Sequence, residues 1–247
     1  MESLQNHSYI MHEFMENKIW SNQNLQRSNM QNTRIVSCIF QNINFNRSCL
    51  TNLRIENTKF INCKFQNIDL FFCKFSNCIF TECDFSLSEV SNNNFYQCDF
   101  SIINFTGARL ANNQFILVHF IKPDLNGSTT KFNNFKEITW EQGAFGNCTI
   151  DYNITLNCRF IDTDMNVEVL GSVWGLEKSK MENIRFLSLG QRVDGEENSI
   201  YNNTKQYFIK KGLFLELFVF NVSFNHENII ENSENLLKNI AMNYKND

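Results

Sequence analysis

Every fifth residue from Leu25 to Leu170 is apolar, with Thr130 and Thr155 the only exceptions, and fifteen of those thirty positions are Phe. A helix repeats its buried face every 3.6 residues and a strand every 2, so neither can hold such a frame. A period of five, kept without insertion over this length, asks for a coil assembled from identical short units. Residues two before these positions form a second inward class. It takes eight of the nine cysteines, Cys38, Cys63, Cys73, Cys78, Cys83, Cys98, Cys148 and Cys158, and leaves out only Cys49. The remaining three positions of each five are mostly polar, as in the consecutive blocks INCKF, QNIDL, FFCKF, SNCIF and TECDF.

A longer period lies above the short one. Taking every fourth repeat gives Phe40, Phe60, Phe80, Phe100, Phe120, Trp140 and Phe160, all aromatic, while Leu50, Leu70, Val90 and Leu110 form an aliphatic set. Twenty residues per turn is what a four-sided coil gives, with like side chains stacked at the strand spacing of ~4.8 Å. Stacked rings fill such an interior, each burying on the order of 150 to 250 Å². One proline and nine glycines in 247 residues leave the usual turn residues nearly absent. The corners are therefore expected to rest on Asn, Asp and Ser, whose side chains can hydrogen-bond to backbone.

Blocks such as CKF, SNCIF, TECDF, YQCDF and GARL resemble the pentapeptide repeat proteins. The resemblance covers residues 25–170 and implies an all-β solenoid, a right-handed quadrilateral β-helix. It also implies a non-enzymatic interaction protein that takes no cofactor. Within the family, Cys before Phe is similar to the quinolone-resistance and microcin-immunity members, which imitate DNA and bind type II topoisomerases. A type II topoisomerase is thus the first partner the resemblance suggests, and a secreted bacterial effector or scaffold holding a host or bacterial protein is the alternative.

Outside the repeat, residues 1–24 are polar and are expected to cap the first coil, because an uncovered coil exposes strand edges. Residues 171–198 are glycine-rich and read as an irregular closing segment. From Ser199 the spacing becomes helical, and 199–247 are expected to form C-terminal α-helices. There Phe214, Leu217, Phe218 and Phe220 exceed what one small helix face buries, and they offer a surface for a homodimer or a partner.

Catalytic and metal chemistry find little purchase in this pattern. The cysteines are spaced by multiples of five rather than as CxxC pairs, and the four histidines are scattered, so neither a metal site nor a catalytic base is expected. A net charge of -4 disfavours direct nucleic-acid binding. No secretory leader or membrane span is read, which makes the cytoplasm the expected location, with delivery into a host cell the alternative. Charge is distributed lengthwise. Residues 25–80 carry seven Lys or Arg against two acids, and residues 81–170 carry five against eleven. Asp84, Glu89, Asp99 and Asp124, with Asp162 and Asp164, are expected to stud the acidic half in rows that imitate phosphate spacing. Tyr96, Ile116 and Leu117 occupy outward slots on neighbouring coils and form a second candidate contact surface.

Overall fold

A computed structural model describes residues 8–145, 148–166, 173–174, 179–182 and 185–187. Its backbone repeats with the sequence: every described fifth residue from His12 to Asp162 has φ between 47° and 65°, and only Gly107 and Gly127 among them are glycine. Three sides of the coil are short strands, mostly of three residues, and the left-handed residue after each turns the chain onto the next side. Asn tolerates that conformation better than most L-residues. It holds twelve of these corners, from Asn17 to Asn157. The asparagine richness is therefore set chiefly by backbone conformation. Turns in which an Asn or Asp side chain accepts the amide two residues on recur along one side of the coil.

That side is the fourth. Sides one, two and three are parallel sheets that begin at Tyr9–Met11, Phe14–Glu16 and Ile19–Ser21. Strands on each side pair with a register of twenty, as in Leu70 opposite Leu50, Phe75 opposite Phe95 and Phe80 opposite Phe100. The fourth side is held by single bridges from Asn24 to Ala144 and then by a short sheet that includes Asp164–Asn166. Its corner is a closed turn in which the Ser28 amide donates to the Leu25 carbonyl at 3.2 Å and the Ala108 amide to Phe105 at 2.9 Å. The left-handed third residue of such a turn suits glycine, which explains Gly107 and Gly127.

The interior is a set of ring columns. Phe40, Phe60, Phe80 and Phe100 stack with centroids 4.6–5.1 Å apart and planes within 8°. Rings from adjacent columns meet edge-on, as Phe75 does with Phe80 at 5.6 Å and 65°. Offset stacking along the axis and edge contacts across it are the two arrangements that aromatic quadrupoles favour. The second inward class carries small donors. Sγ of Cys63 donates to the Phe40 carbonyl at 3.3 Å and Oγ of Ser48 to Leu25 at 2.9 Å, each bridging to the coil below. In the later coils the slot is filled by Asn93, Asn113, Asn133 and Asn153, all buried. Nδ2 of Asn113 donates to the Val90 carbonyl at 2.7 Å, and its Oδ1 accepts the Asn93 amide at 2.9 Å. These amides are buried without loss because both ends are hydrogen-bonded.

The repeat runs beyond the expected limits at both ends. Residues 9–21, assigned to a cap, are three strands in the common register, with Ile10, Met15 and Trp20 buried in frame. Trp20 stacks on Phe40 at 4.9 Å. In the segment expected to be irregular, Val173–Trp174, Lys180–Glu182 and Arg185–Leu187 also pair in parallel with the coil before them. The register there lengthens by one residue, from Phe40 opposite Phe60 to Phe160 opposite Met181, which hides the continuation from a strict count of five. The expected C-terminal helices, with Phe214, Leu217, Phe218 and Phe220, lie outside the described residues.

Candidate protein-binding surfaces

Because each outward position belongs to a known side, the acidic residues can be placed on the rod. Asp84 and Asp124 lie on the fourth side, joined through Asn104 by successive backbone bridges. Asp164 continues the column, one coil beyond Ala144. Glu89 lies on side one and Asp99 on side three. The expected rows of Asp84, Glu89, Asp99 and Asp124 are thus divided among three sides, because Glu89 and Asp99 stand five and fifteen residues from Asp84 rather than a multiple of twenty. Glu89 is also occupied: it accepts from Ser91 Oγ and pairs with Arg109 at 3.5 Å. Asp99 stands between Ile79 and His119. What remains is an edge where sides three and four meet. Its corner column runs Glu82, Ile102, Lys122, Gln142 and Asp162, and on its flank Asp84, Asp124 and Asp164 alternate with Asn104 and Ala144, with Lys64 one coil before Asp84.

Local structure does not require acids on this flank. Asp84 Oδ1 accepts the Ser86 amide at 2.9 Å and Asp124 Oδ1 the Asn126 amide at 2.9 Å, which closes a small side-chain turn. Asn44 and Asn104 make the same bond at 3.0 and 2.8 Å in other coils. An asparagine therefore suffices to close the turn, and the carboxylate adds a charge and, at Asp84, a second acceptor oxygen. Among the described residues, none of the ion pairs involves Asp84 or Asp124. Asp84 Oδ2 instead accepts from Gln66 Nε2 at 2.7 Å. Glu82 was missed in the sequence because its place beside Asp84 depends on the corner geometry.

The apolar set does come together. Tyr96 and Ile116 are register neighbours on side two, with Leu117 on the adjoining corner. Lys136 and Leu156 follow them on the same side. A further feature escaped the sequence reading: Phe72, Leu87, Ile102, Leu117, Phe132 and Tyr152 are exposed and all hold left-handed corners. Bulky side chains are uncommon in that conformation, and β-branched ones are outliers. Phe132 and Tyr152 stack on each other in solvent, 5.2 Å apart and 5° from parallel. The signal was present in the sequence as apolar residues interrupting a column of Asn.

All nine cysteines are free thiols, and eight are buried. Burial pushes the Cys73 thiol up to about 12 and raises Cys38 as well. These two are packing groups rather than nucleophiles. Among the described residues, no three His, Cys, Asp or Glu converge as metal ligands, and no helix is long and apolar enough to cross a membrane.

Residues 28–67 and 68–107 each match the family model for pentapeptide repeats, which spans eight copies of the five-residue unit. No curated protein sequence matches the chain. Among solved structures, the chain is similar to full-length QnrB1, a plasmid-mediated fluoroquinolone resistance protein, at 15% identity over 74% of this chain and 94% of that one, with a TM-score of 0.31. It is similar to HetL of the cyanobacterium Nostoc, involved in heterocyst differentiation regulation, at 10% identity over 71% and 90%, TM-score 0.21. Rfr23 of the cyanobacterium Cyanothece matches at 16% identity over 43% of this chain and 59% of that one, TM-score 0.19. The matched residues, 28–107, form the middle of a coil that continues on the same sides in both directions, so the repeat of that family model describes the central part of the solenoid.

Proposed function

We propose that this chain is a protein-binding rod whose acidic edge enters a basic groove on its partner, and that a type II topoisomerase is the partner to test first. The observation that carries the reading is the column of Asp84, Asp124 and Asp164 beside Glu82 and Asp162, in which Asp84 and Asp124 close turns that Asn closes in other coils. Asp84 and Asp124 stand two coils apart, about 10 Å at the strand spacing. Carboxylates held on a rigid frame lose little entropy on binding and attract a site shaped for polyphosphate. The same reading makes the protein a non-enzyme acting in the cytoplasm.

Titrating DNA gyrase with the rod tests this. The variant combining Glu82→Gln, Asp84→Asn and Asp124→Asn keeps the turn acceptors and removes three charges. It should fold as the parent does, bind about tenfold more weakly or worse, and lose most of the salt dependence. Binding that ignores both the substitutions and added salt overturns the acidic-edge reading.

A second reading, a scaffold or effector gripping another protein, draws on the strip formed by exposed Tyr96 and Leu117 with half-buried Ile116. It predicts that Tyr96→Ser with Leu117→Asn abolishes capture while the charge-neutral variant leaves it intact. Retained capture by the Tyr96 and Leu117 variant rejects it.

A further inference from the structure

The opposite chemistry lies at the other end of the rod. On side two, Arg34, Arg54 and Lys74 are direct register neighbours in three successive coils. Like charges placed opposite one another across strands are destabilising, so nothing in the packing favours this column. Only Arg34 has a carboxylate partner, Glu56 at 3.3 Å, and its guanidinium also lies over the Phe14 ring at 5.8 Å. Among the described residues, neither Arg54 nor Lys74 enters an ion pair.

Beside the column runs the corner between sides one and two, where the Asn52 Nδ2 donates to Asn32 Oδ1 at 2.6 Å. Between the amide ladder and the guanidinium ladder is a surface groove of about 300 Å³, lined by Asn32, Thr33, Arg34, Asn52 and Arg54. Thr33 is buried at its floor and donates its hydroxyl to the Gln31 carbonyl at 3.0 Å. The walls therefore present donors: the guanidinium forks of two arginines whose backbones are about 4.8 Å apart along the axis, and the remaining amide hydrogens. Two carboxylates face this region. Glu56 is engaged with Arg34, and Glu13 sits one coil below Thr33.

We propose that this groove binds a phosphate monoester dianion, with Arg34 and Arg54 as its principal ligands and Asn52 as an amide donor. A single carboxylate matches one guanidinium fork, whereas a phosphate offers three acceptor oxygens that can take hydrogen bonds from both forks and from an amide. A polynucleotide is a poor fit, because three cations in line are few, Glu56 lies beside them, and the whole chain is negative. The site lies on a different side and in different coils from the acidic edge, and it stands whether or not that edge binds a topoisomerase.

The test is isothermal titration of the full chain at low ionic strength with four probes. They are inorganic phosphate, a short glycine peptide bearing one phosphoserine, the same peptide with glutamate in its place, and a short DNA duplex. Phosphate or the phosphopeptide should bind and the glutamate peptide should bind at least about tenfold more weakly. Tighter binding of the phosphopeptide than of free phosphate assigns the group to a partner protein, and equal binding assigns it to a free phosphate. Arg34→Gln with Arg54→Gln should lose the binding, Arg54→Lys should weaken it, and Arg109→Gln, on side one, should leave it unchanged. Circular dichroism on each variant separates loss of a ligand from loss of the fold. The proposal is overturned if neither phosphate probe binds, if glutamate serves as well, if the folded Arg34 and Arg54 variant binds normally, or if the duplex is preferred.

Discussion

Replacing Phe100 by Ala removes a ring that is 1% exposed and lies in the middle of a column. It stacks on Phe80 at 4.6 Å and 2°, and on Phe120 at 5.1 Å and 17°. Phe95 meets it edge-on at 5.4 Å and 71°. Losing the transfer free energy of a buried Phe accounts for roughly 1.5 to 3 kcal/mol. The cavity adds to this, because the coils above and below are fixed by backbone bonds and cannot close on it, which brings the total to about 3 to 5 kcal/mol. Phe72→Asn is the matching control. Phe72 is 58% exposed and holds a corner at φ 57°, so the change gives up little burial and relieves strain. Urea unfolding followed by circular dichroism should show a large fall in midpoint for Phe100→Ala and an unchanged or raised midpoint for Phe72→Asn. A Phe100→Ala protein within about 0.5 kcal/mol of the parent would refute the column packing, since that is the range of ordinary surface changes.

The corner argument extends to Ile102, a β-branched residue at φ 57°, where Asn should raise stability by roughly 1 kcal/mol in the same assay. Gly143→Ala should cost about 1 to 3 kcal/mol, because the added Cβ would fall 2.0 Å from Trp140 Nε1, and a neutral result would contradict that packing. Alkylation at neutral pH should label Cys49 first and leave the eight buried thiols untouched until unfolding, as counted by mass spectrometry. Since burial raises the Cys73 thiol to about 12, its share of stability is complete below the unfolded thiol value of about 8.5 and is lost as pH climbs between the two. Unfolding midpoints measured across that window should fall, and a Cys73→Ser variant should fall less.

Much of the interior was legible because identity recurs at fixed spacing. Phe80 and Phe100, or Cys63 and Cys83, are neighbours by arithmetic once four fives make a turn. The ends were harder. Ile10, Met15 and Trp20 keep the frame but carry polar neighbours such as Glu13 and Glu16, and near Phe160 one added residue shifts the count before Met181. Surfaces were less legible still, because an outward residue's companions lie twenty positions away and not beside it in the chain. Asp84 and Glu89, five apart, occupy different sides, whereas Asp84 and Asp124, forty apart, share one. The basic column of Arg34, Arg54 and Lys74 follows from the same period and was visible in sequence only as an excess of charge near the start.

Whether the acidic edge stands in for nucleic acid is decided most directly by competition. A labelled DNA duplex bound to gyrase is challenged with increasing amounts of the rod, and fluorescence anisotropy reports how much duplex remains bound. The account predicts full displacement by the parent protein at low salt, with about tenfold or more of the variant carrying Glu82→Gln, Asp84→Asn and Asp124→Asn needed for the same effect. A stable complex holding enzyme, duplex and rod together, or equal displacement by the two proteins, would contradict it.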